Sequence, residues 1–116
     1  MEHFLGIDIG GTNVKIGVVS SAGELLSKNK YPSASLRSGQ GFLKNFSNLL
    51  KETFEEHPEI KKVGMGVPGT ISKDKKSTLE LPNLPGLNKV PIIDELQRQF
   101  PEHIFHLDND ANAAAL

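Results

Sequence analysis

The 116-residue sequence predicts a mixed α/β domain, in which antiparallel hairpins come first and crossovers over helices follow. The first observation is that apolar residues alternate with small or polar ones from Leu5 to Ile9 and from Val14 to Val18, with turn signals at Gly10-Gly11 and Ala22-Gly23. The second is that helical and strand-like patterns alternate beyond Gly41, as they do in βαβ units.

The amino-terminal hairpins are predicted from this alternation. Residues 4–9 form a strand with an apolar face, and Asp8 lies on the opposite face. Residues 14–18 form a second strand, and residues 24–31 form a third, less clearly patterned one. Residues 32–41, which are rich in Ser and Gly, are predicted as a loop.

The second half of the chain predicts helices and strands in turn. An apolar stripe at helical spacing begins at Phe42, and the helix ends at His57-Pro58, because proline pushes the preceding residue out of helical space. Residues 60–67 form a strand, and residues 70–90 form an irregular excursion with a polar tip at 73–76. The remaining predicted elements are a short helix over 92–100 with Pro91 at its start, a strand over 104–107 and an Ala-rich helix opening at 108–112.

Composition excludes several classes of protein. The formal net charge of −1 implies no broad attraction to nucleic acid or to an anionic membrane. The absence of cysteine excludes a disulfide framework and a thiolate metal site within these residues. No apolar run is long enough to span a bilayer, and the start lacks the basic region of a signal peptide. We therefore expect a cytoplasmic protein without nucleic acid or membrane partners.

The glycine-containing segment after the first strand is a candidate phosphate site. Gly10 and Gly11 let the backbone approach a ligand and present N–H groups to an anion, and Thr12 adds a hydroxyl. Asp8 is placed to hold a hydrated Mg²⁺, which uses few carboxylates. The alternative is a simple tight turn, with Asp8 solvated at the edge and Lys15 exposed on the second strand. The spacing matches neither a Walker A loop nor GxGxxG.

Two further segments are weaker candidates. In the segment 64–70, glycines on one strand face permit close backbone approach by a ligand, or else simple packing of the sheet. In the segment 81–87, Asn83 lies between two prolines, where its amide is suited to a sugar hydroxyl. The alternative for Asn83 is an ordinary turn-forming residue.

The last polar run is a candidate for the chemistry itself. Asp110 follows a strand end that opens into a helix, where α/β sheets place their ligands. A carboxylate there can accept the proton of an attacking hydroxyl during phosphoryl transfer, and Asn109 can orient the same substrate. The alternative is helix capping by Asp108, Asn109 or Asp110. The four histidines show no metal-ligand spacing, and we expect them to be surface or satisfied core residues.

The order of these motifs resembles the amino-terminal half of ROK proteins (repressor, open reading frame, kinase), especially glucokinases and N-acetylhexosamine kinases. That family has the actin-like, ribonuclease H-like ATPase fold. The resemblance covers essentially the whole chain, and the run of Asn, Asp, Ala, Asn and Ala separates ROK proteins from the wider actin-like superfamily. The matching segments are Gly6 to Lys15, Gly64 to Gly69, Pro82 to Gly86 and Asn109 to Ala115.

The resemblance implies an ATP-dependent kinase that phosphorylates the 6-hydroxyl of a hexose or N-acetylhexosamine. By this resemblance, Asp110 is the catalytic base, and the sugar contacts are Gly69, Asn83 and Asn109. The residues assigned to the ATP phosphates are Gly10, Gly11, Thr12 and Lys15, with Asp8 near Mg²⁺.

The resemblance further implies that residues 1–116 are the amino-terminal lobe. The carboxy-terminal lobe, with a structural zinc site and the remaining sugar ligands, lies outside this chain. We expect the full-length protein to be a homodimer and the isolated chain to be inactive. The Ala-rich end has no helix stop signal, which favours continuation of the chain.

The alternative is a sugar-sensing ROK transcriptional regulator. Such proteins carry a helix-turn-helix before the first strand, and here the first strand begins within the first few residues, which favours the kinase. The sequence leaves open which sugar is used, and whether ATP or polyphosphate is the donor.

Overall fold

The computed structural model describes residues 2–37, 39, 41–81 and 84–109. Within these ranges the chain forms strands and helices in the predicted order, with additional short elements. The elements are β1 (His3–Ile9), β2 (Asn13–Ser20), β3 (Leu25–Pro32), α1 (Ser33–Arg37), α2 (Phe42–Glu56), β4 (Ile60–Val67), β5 (Thr70–Ile71), β6 (Thr78–Glu80), a 3₁₀ turn (Pro85–Leu87), α3 (Ile92–Gln99) and β7 (Ile104–Asn109).

The main sheet has five strands in the order β3-β2-β1-β4-β7. β1, β2 and β3 pair antiparallel, as successive hairpins do, whereas β4 pairs parallel with both β1 and β7. β5 and β6 form a separate two-stranded hairpin. The predicted mixed sheet, with early hairpins and later helical crossovers, is confirmed.

One face of the sheet forms the hydrophobic core with the helices. The apolar stripe of α2 was predicted from its spacing, and its residues Phe42, Phe46, Leu50 and Phe54 are buried. They pack in one cluster with the apolar residues of β1, β2 and β4, such as Ile7, and with α3. Each fully buried aliphatic or aromatic side chain of this kind contributes about 1.5–3 kcal/mol relative to exposure. No helix in the described ranges is long and apolar enough to cross a membrane.

The opposite face of the sheet carries three rows of residues that cross all five strands. Each row is given in strand order from β3 to β7. The row nearest the amino end of β1 consists of Leu25, Val19, Phe4, Lys62 and Ile104. The middle row consists of Lys28, Gly17, Gly6, Gly64 and His106. The row nearest the carboxyl end of β1 consists of Lys30, Lys15, Asp8, Gly66 and Asp108. Leu25 and Ile104 are about half exposed, at 56% and 50%. The polarity of this face thus increases toward the carboxyl end of β1.

The loop predicted over 32–41 is wrong in part, because residues 33–37 form α1. This helix has only five residues, too few to show a helical period in the sequence. Tertiary contacts hold it, since Leu36 is buried and its carbonyl accepts a hydrogen bond from Asn45 Nδ2 at 2.6 Å.

Two other differences lie nearer the candidate site. Residues 70–90 are not wholly irregular, since they contain the β5–β6 hairpin and the 3₁₀ turn. The final strand runs to Asn109 rather than Leu107, so Asp108 and Asn109 belong to β7 and not to the start of a helix. Parallel pairing of Asp108 with Gly66 and of Asn109 with Val67 accounts for the extension. The predicted Ala-rich helix beyond Asn109 lies outside the described residues.

Candidate functional site

The candidate site lies at one edge of the sheet, where the carboxyl ends of β1, β4 and β7 meet. These strands are parallel neighbours, so the segments that follow them leave the sheet on the same side. Asp8 is the second-last residue of β1, Gly69 follows β4, and Asn109 ends β7. The fold therefore brings together residues from three distant parts of the sequence, at the edge where α/β sheets bind ligands.

The turn between β1 and β2 presents backbone donors. The Gly10 N–H donates to the Asn13 carbonyl oxygen at 2.9 Å, and a Cβ on Gly10 would lie 2.9 Å from the same oxygen, which favours glycine there. Within the described residues, the N–H groups of Gly11 and Thr12 donate no hydrogen bond. Unpaired N–H groups on successive turn residues are the donors that an anion such as a phosphate accepts from.

Two charged side chains lie beside this turn. Asp8 and Lys15 are directly opposite each other in the β1–β2 register, and both are exposed. Lys15 adds a positive charge close to the unpaired N–H groups. Asp8 lies next to Gly66 in the β1–β4 register, and Gly66 has no side chain that could contact the carboxylate. Its single exposed carboxylate fits a hydrated Mg²⁺, which completes its coordination with water and phosphate oxygens.

Sequence reasoning missed Ser33, which supports the same turn. Ser33 is the first residue of α1 and is completely buried. Its Oγ donates to the Gly10 carbonyl oxygen at 2.6 Å, and its backbone N–H donates to the Thr12 carbonyl oxygen at 2.8 Å. A serine between a strand and a polar segment carries no distinctive signal, so only the folded chain identifies this contact.

Gly69 lies where the chain passes from β4 into the hairpin. A Cβ at this position would overlap the carbonyl group of Glu80 on β6. The absence of a side chain therefore lets the two backbones pass in contact. The Glu80 N–H also donates to Thr70 Oγ1 at 3.2 Å, which ties the base of the hairpin together.

The hairpin tip is ordered by its own side chains. Ser72 Oγ donates to Asp74 Oδ1 at 2.5 Å, and the Lys76 N–H donates to the same carboxylate oxygen at 3.1 Å. These bonds lower the pKa of Asp74, with the Ser72 hydroxyl as the largest cause. Lys75 adopts a left-handed backbone conformation, with φ of 58°, and its Nζ lies 3.4 Å from Asp108 Oδ2. Lys75 was predicted only as part of a solvated tip, so its contact with β7 was missed.

The segment after β6 carries another candidate, Asn83, which lies outside the described residues. On either side of it, Leu81 and Leu84 are buried, with 3% and 1% exposure. The Leu84 N–H donates to the Leu81 carbonyl oxygen at 3.3 Å, and the Leu81 N–H donates to Asn88 Oδ1 at 2.8 Å. The backbone that flanks Asn83 is therefore fixed to the core. Asp110 also lies outside the described residues, directly after Asn109.

The histidines form no metal site in the part of the chain that the structure describes, where no group of three or more His, Asp or Glu side chains converges. His103 is half-buried and stacks on Phe54, with ring centroids 3.8 Å apart. Its Nδ1 is buried and makes no hydrogen bond among the described residues, so it is a core residue but not a satisfied one.

The strand order, and the sheet edge at which these residues meet, are those of the actin-like ATPase fold. The chain belongs to the ROK family, whose sequence model matches residues 4–116. It is 31% identical over 112 residues to a glucokinase of Thermotoga maritima and 31% identical over 113 residues to an N-acetyl-D-glucosamine kinase of Salmonella newport. The two matches cover 97% of this chain but 35% and 36% of those proteins, so the chain spans about a third of their length.

Solved structures agree with this assignment. A ROK family glucokinase from Streptomyces griseus, in complex with glucose and AMPPNP, superposes with a TM-score of 0.77 at 31% identity. That match covers 97% of this chain and 35% of the glucokinase chain. A ROK family transcriptional regulator, a homologue of the E. coli MLC protein, has a TM-score of 0.80 at 16% identity, with coverage of 97% and 29%, which shows the shared fold alone.

Proposed function

We propose that the protein to which this chain belongs transfers a phosphoryl group from ATP to the 6-hydroxyl of a hexose or N-acetylhexosamine. The main support for this proposal is the position of the Gly10–Thr12 turn relative to the end of β7. The N–H groups of Gly11 and Thr12, which donate no hydrogen bond to any described residue, lie at the same sheet edge as Asn109, the residue immediately before Asp110. A phosphate bound at the turn would lie at the sheet edge where β7 ends, one residue before the proposed base in the sequence.

The turn and its neighbours are assigned to the nucleotide. The N–H groups of Gly11 and Thr12 bind phosphate oxygens, Gly10 allows the backbone to turn tightly, and Lys15 balances the phosphate charge. Asp8 would hold Mg²⁺ through water, and the ion would neutralise charge on the transferred phosphoryl group. Positioning and charge stabilisation supply most of the catalysis in phosphoryl transfer.

The second group of residues is assigned to the sugar. Asp110 accepts the proton of the attacking hydroxyl, while Asn109 and Asn83 bind sugar hydroxyls together with the backbone at Gly69. Gly69 is suited to a backbone contact because its backbone is already held against Glu80. The identity of the sugar, glucose or an N-acetylated hexosamine, is left to experiment.

The comparisons support this proposal at the level of the family. Relatives at 31% identity are glucokinases and N-acetyl-D-glucosamine kinases, and one related structure holds glucose and AMPPNP. Since the chain spans about a third of these proteins, the activity is proposed for the full-length protein. We further propose that it acts in the cytoplasm as a homodimer. We propose that its structural zinc is bound by residues outside this chain and that the isolated chain is inactive.

The test is substitution of Asp110 by Asn in the full-length protein. Turnover should fall by a factor of about 10² or more, since general base catalysis typically contributes a factor of about 10²–10⁴. The dissociation constant for the sugar, measured by calorimetry, should change by less than about threefold, because substitutions outside key contacts usually have small effects. Asp94→Asn, on the exposed side of α3, is the matched control and should keep turnover. Wild-type turnover in the Asp110 variant would exclude the assigned base.

Assays of sugar binding and ATP consumption on the wild-type full-length protein distinguish a kinase from a sugar-sensing regulator. A regulator binds sugar but does not consume ATP in its presence. Wild-type protein that binds a hexose, yet gives no sugar-dependent ADP with any hexose or N-acetylhexosamine, would overturn the proposed activity in favour of the regulator.

A further inference from the structure

The side chain and backbone of Ser33 contact two carbonyl groups of the glycine turn. Its Oγ lies 2.6 Å from the Gly10 carbonyl oxygen, and its N–H lies 2.8 Å from the Thr12 carbonyl oxygen. Ser33 has no exposed surface, and the Gly10 bond spans 23 positions of sequence. The turn is therefore held from a distant element as well as by its own strands.

These two bonds fix the orientation of the peptide groups in the turn. In a planar trans peptide, the carbonyl of one residue and the N–H of the next point in opposite directions. Because the Gly10 carbonyl points toward Ser33, the Gly11 N–H points away from it. The Gly11 N–H is one of the two turn donors that have no acceptor within the described residues. The Ser33 hydroxyl thus sets the direction of a donor that it does not itself contact.

We propose that Ser33 is a positioning residue for nucleotide binding, which orients the Gly11 N–H toward the phosphates by holding the Gly10 carbonyl. The expected effect of Ser33 on ATP turnover rests on the proposed kinase function. Without the hydroxyl of the buried Ser33 side chain, the Gly10 carbonyl oxygen loses its hydrogen-bond donor. The peptide between Gly10 and Gly11 is then free to rotate, since neither residue has a Cβ to restrict it.

The kinetic test uses Ser33→Ala in the full-length protein. The KM for ATP should rise about fivefold to tenfold, a range expected for the loss of one partner of a buried hydrogen bond. The KM for the sugar should change less than about twofold, because the sugar residues are on other segments. Ser35→Ala is the matched control, since Ser35 lies on the same helix and its hydroxyl donates to the Pro32 carbonyl oxygen at an exposed position.

Ser33→Cys keeps the size of the side chain but has only a weak donor, so its KM for ATP should lie between those of wild type and Ser33→Ala. It also serves if the alanine variant does not fold. An unchanged KM for ATP in a folded variant would overturn the proposal. An equal rise in both KM values would do the same, because it would indicate a general loss of structure.

Hydrogen exchange tests the contact without any activity. The Gly10 N–H, bonded to Asn13, and the Ser33 N–H, bonded to Thr12, should exchange faster in Ser33→Ala than in wild type or Ser35→Ala. Equal exchange in all three proteins would refute the role of Ser33 in holding the turn. If exchange accelerates but wild-type protein neither binds ATP nor turns it over, the proposed function fails and the positioning contact stands.

Discussion

Lys75 and Asp108, which are 33 positions apart, form an ion pair of 3.4 Å between the tip of the β5–β6 hairpin and the carboxyl end of β7. The Asp108 side chain is 19% exposed and the Lys75 side chain is 57% exposed. The hairpin is followed in sequence by the segment of Asn83, and β7 ends at Asn109, directly before Asp110. The pair therefore joins the two segments that carry the proposed sugar contacts.

A double-mutant cycle on this pair should show weak coupling. We expect Lys75→Gln and Asp108→Asn to be coupled by about 0.2–1 kcal/mol in the free energy of unfolding, the range for partly exposed ion pairs. The coupling should shrink in ~1 M salt, where exposed charges are screened. Lys73→Gln in the same tip is the control and should show no coupling to Asp108→Asn. Coupling that does not depend on salt would contradict an ionic contact.

Replacement of Gly69 by Ala should destabilise the fold. The new Cβ would overlap the Glu80 carbonyl, so the hairpin backbone has to move. We expect a loss of about 1–3 kcal/mol, as for overpacking in a rigid region, measured by urea denaturation. Gly86→Ala is the matched control, because a Cβ there would meet nothing within 4 Å. Equal stability of the two variants would show that the Gly69 contact is not tight.

Thr78 should contribute to stability through its hydroxyl. Its side chain is completely buried, and Oγ1 donates to the Leu87 carbonyl and accepts from the Val90 N–H at 3.1 Å. Thr78→Val keeps the shape but leaves these groups without their partner, at a cost of about 1–3 kcal/mol. Thr70→Val, at an exposed position, should cost less. Thermal unfolding of both variants measures the difference in stability. Similar losses of stability in Thr78→Val and Thr70→Val would argue against a stabilising role of the buried Thr78 hydroxyl.

Protonation of His103 should lower stability in mild acid. Burial, followed by the charge of Lys61, lowers the pKa of His103 below its usual 6.5. The folded protein therefore binds a proton at this site less readily than the unfolded chain. The contribution is present above pH 6.5 and is lost as the pH falls through the lower folded pKa. His103→Gln should reduce the fall in unfolding free energy between about pH 7 and 5. An unchanged pH profile in His103→Gln would refute this assignment.

The main strands and α2 could be predicted because each has a long enough pattern of its own. β4 was predicted with the bounds that it has, Ile60–Val67, and the stripe from Phe42 to Phe54 marks the buried side of α2. In contrast, α1 has five residues and β5 has two, so neither repeats its period often enough to be detected in the sequence. Their positions depend on contacts with distant segments.

The same distinction applies to the candidate site. The glycine turn and Asp8 could be proposed from the sequence because glycine and carboxylate chemistry is visible in a short segment, and their roles stay predictions. Ser33 and Lys75 were not identified, since their contacts with Gly10 and Asp108 are formed only when separate segments meet. The assignments of Asn83 and Asp110 stay predictions, because both residues lie outside the described ranges.

The pairing of β1 has a consequence for how the chain folds. Leu5 lies opposite Val18 of β2 on one side and opposite Val63 of β4 on the other. The first partner is close in sequence and pairs after a short loop closes, whereas pairing with the second closes a loop that contains β2, β3, α1 and α2. We therefore expect the three-stranded amino-terminal meander to form early. The parallel half of the sheet, and with it the ligand-binding edge, would be completed only in the late, rate-limiting stage of folding.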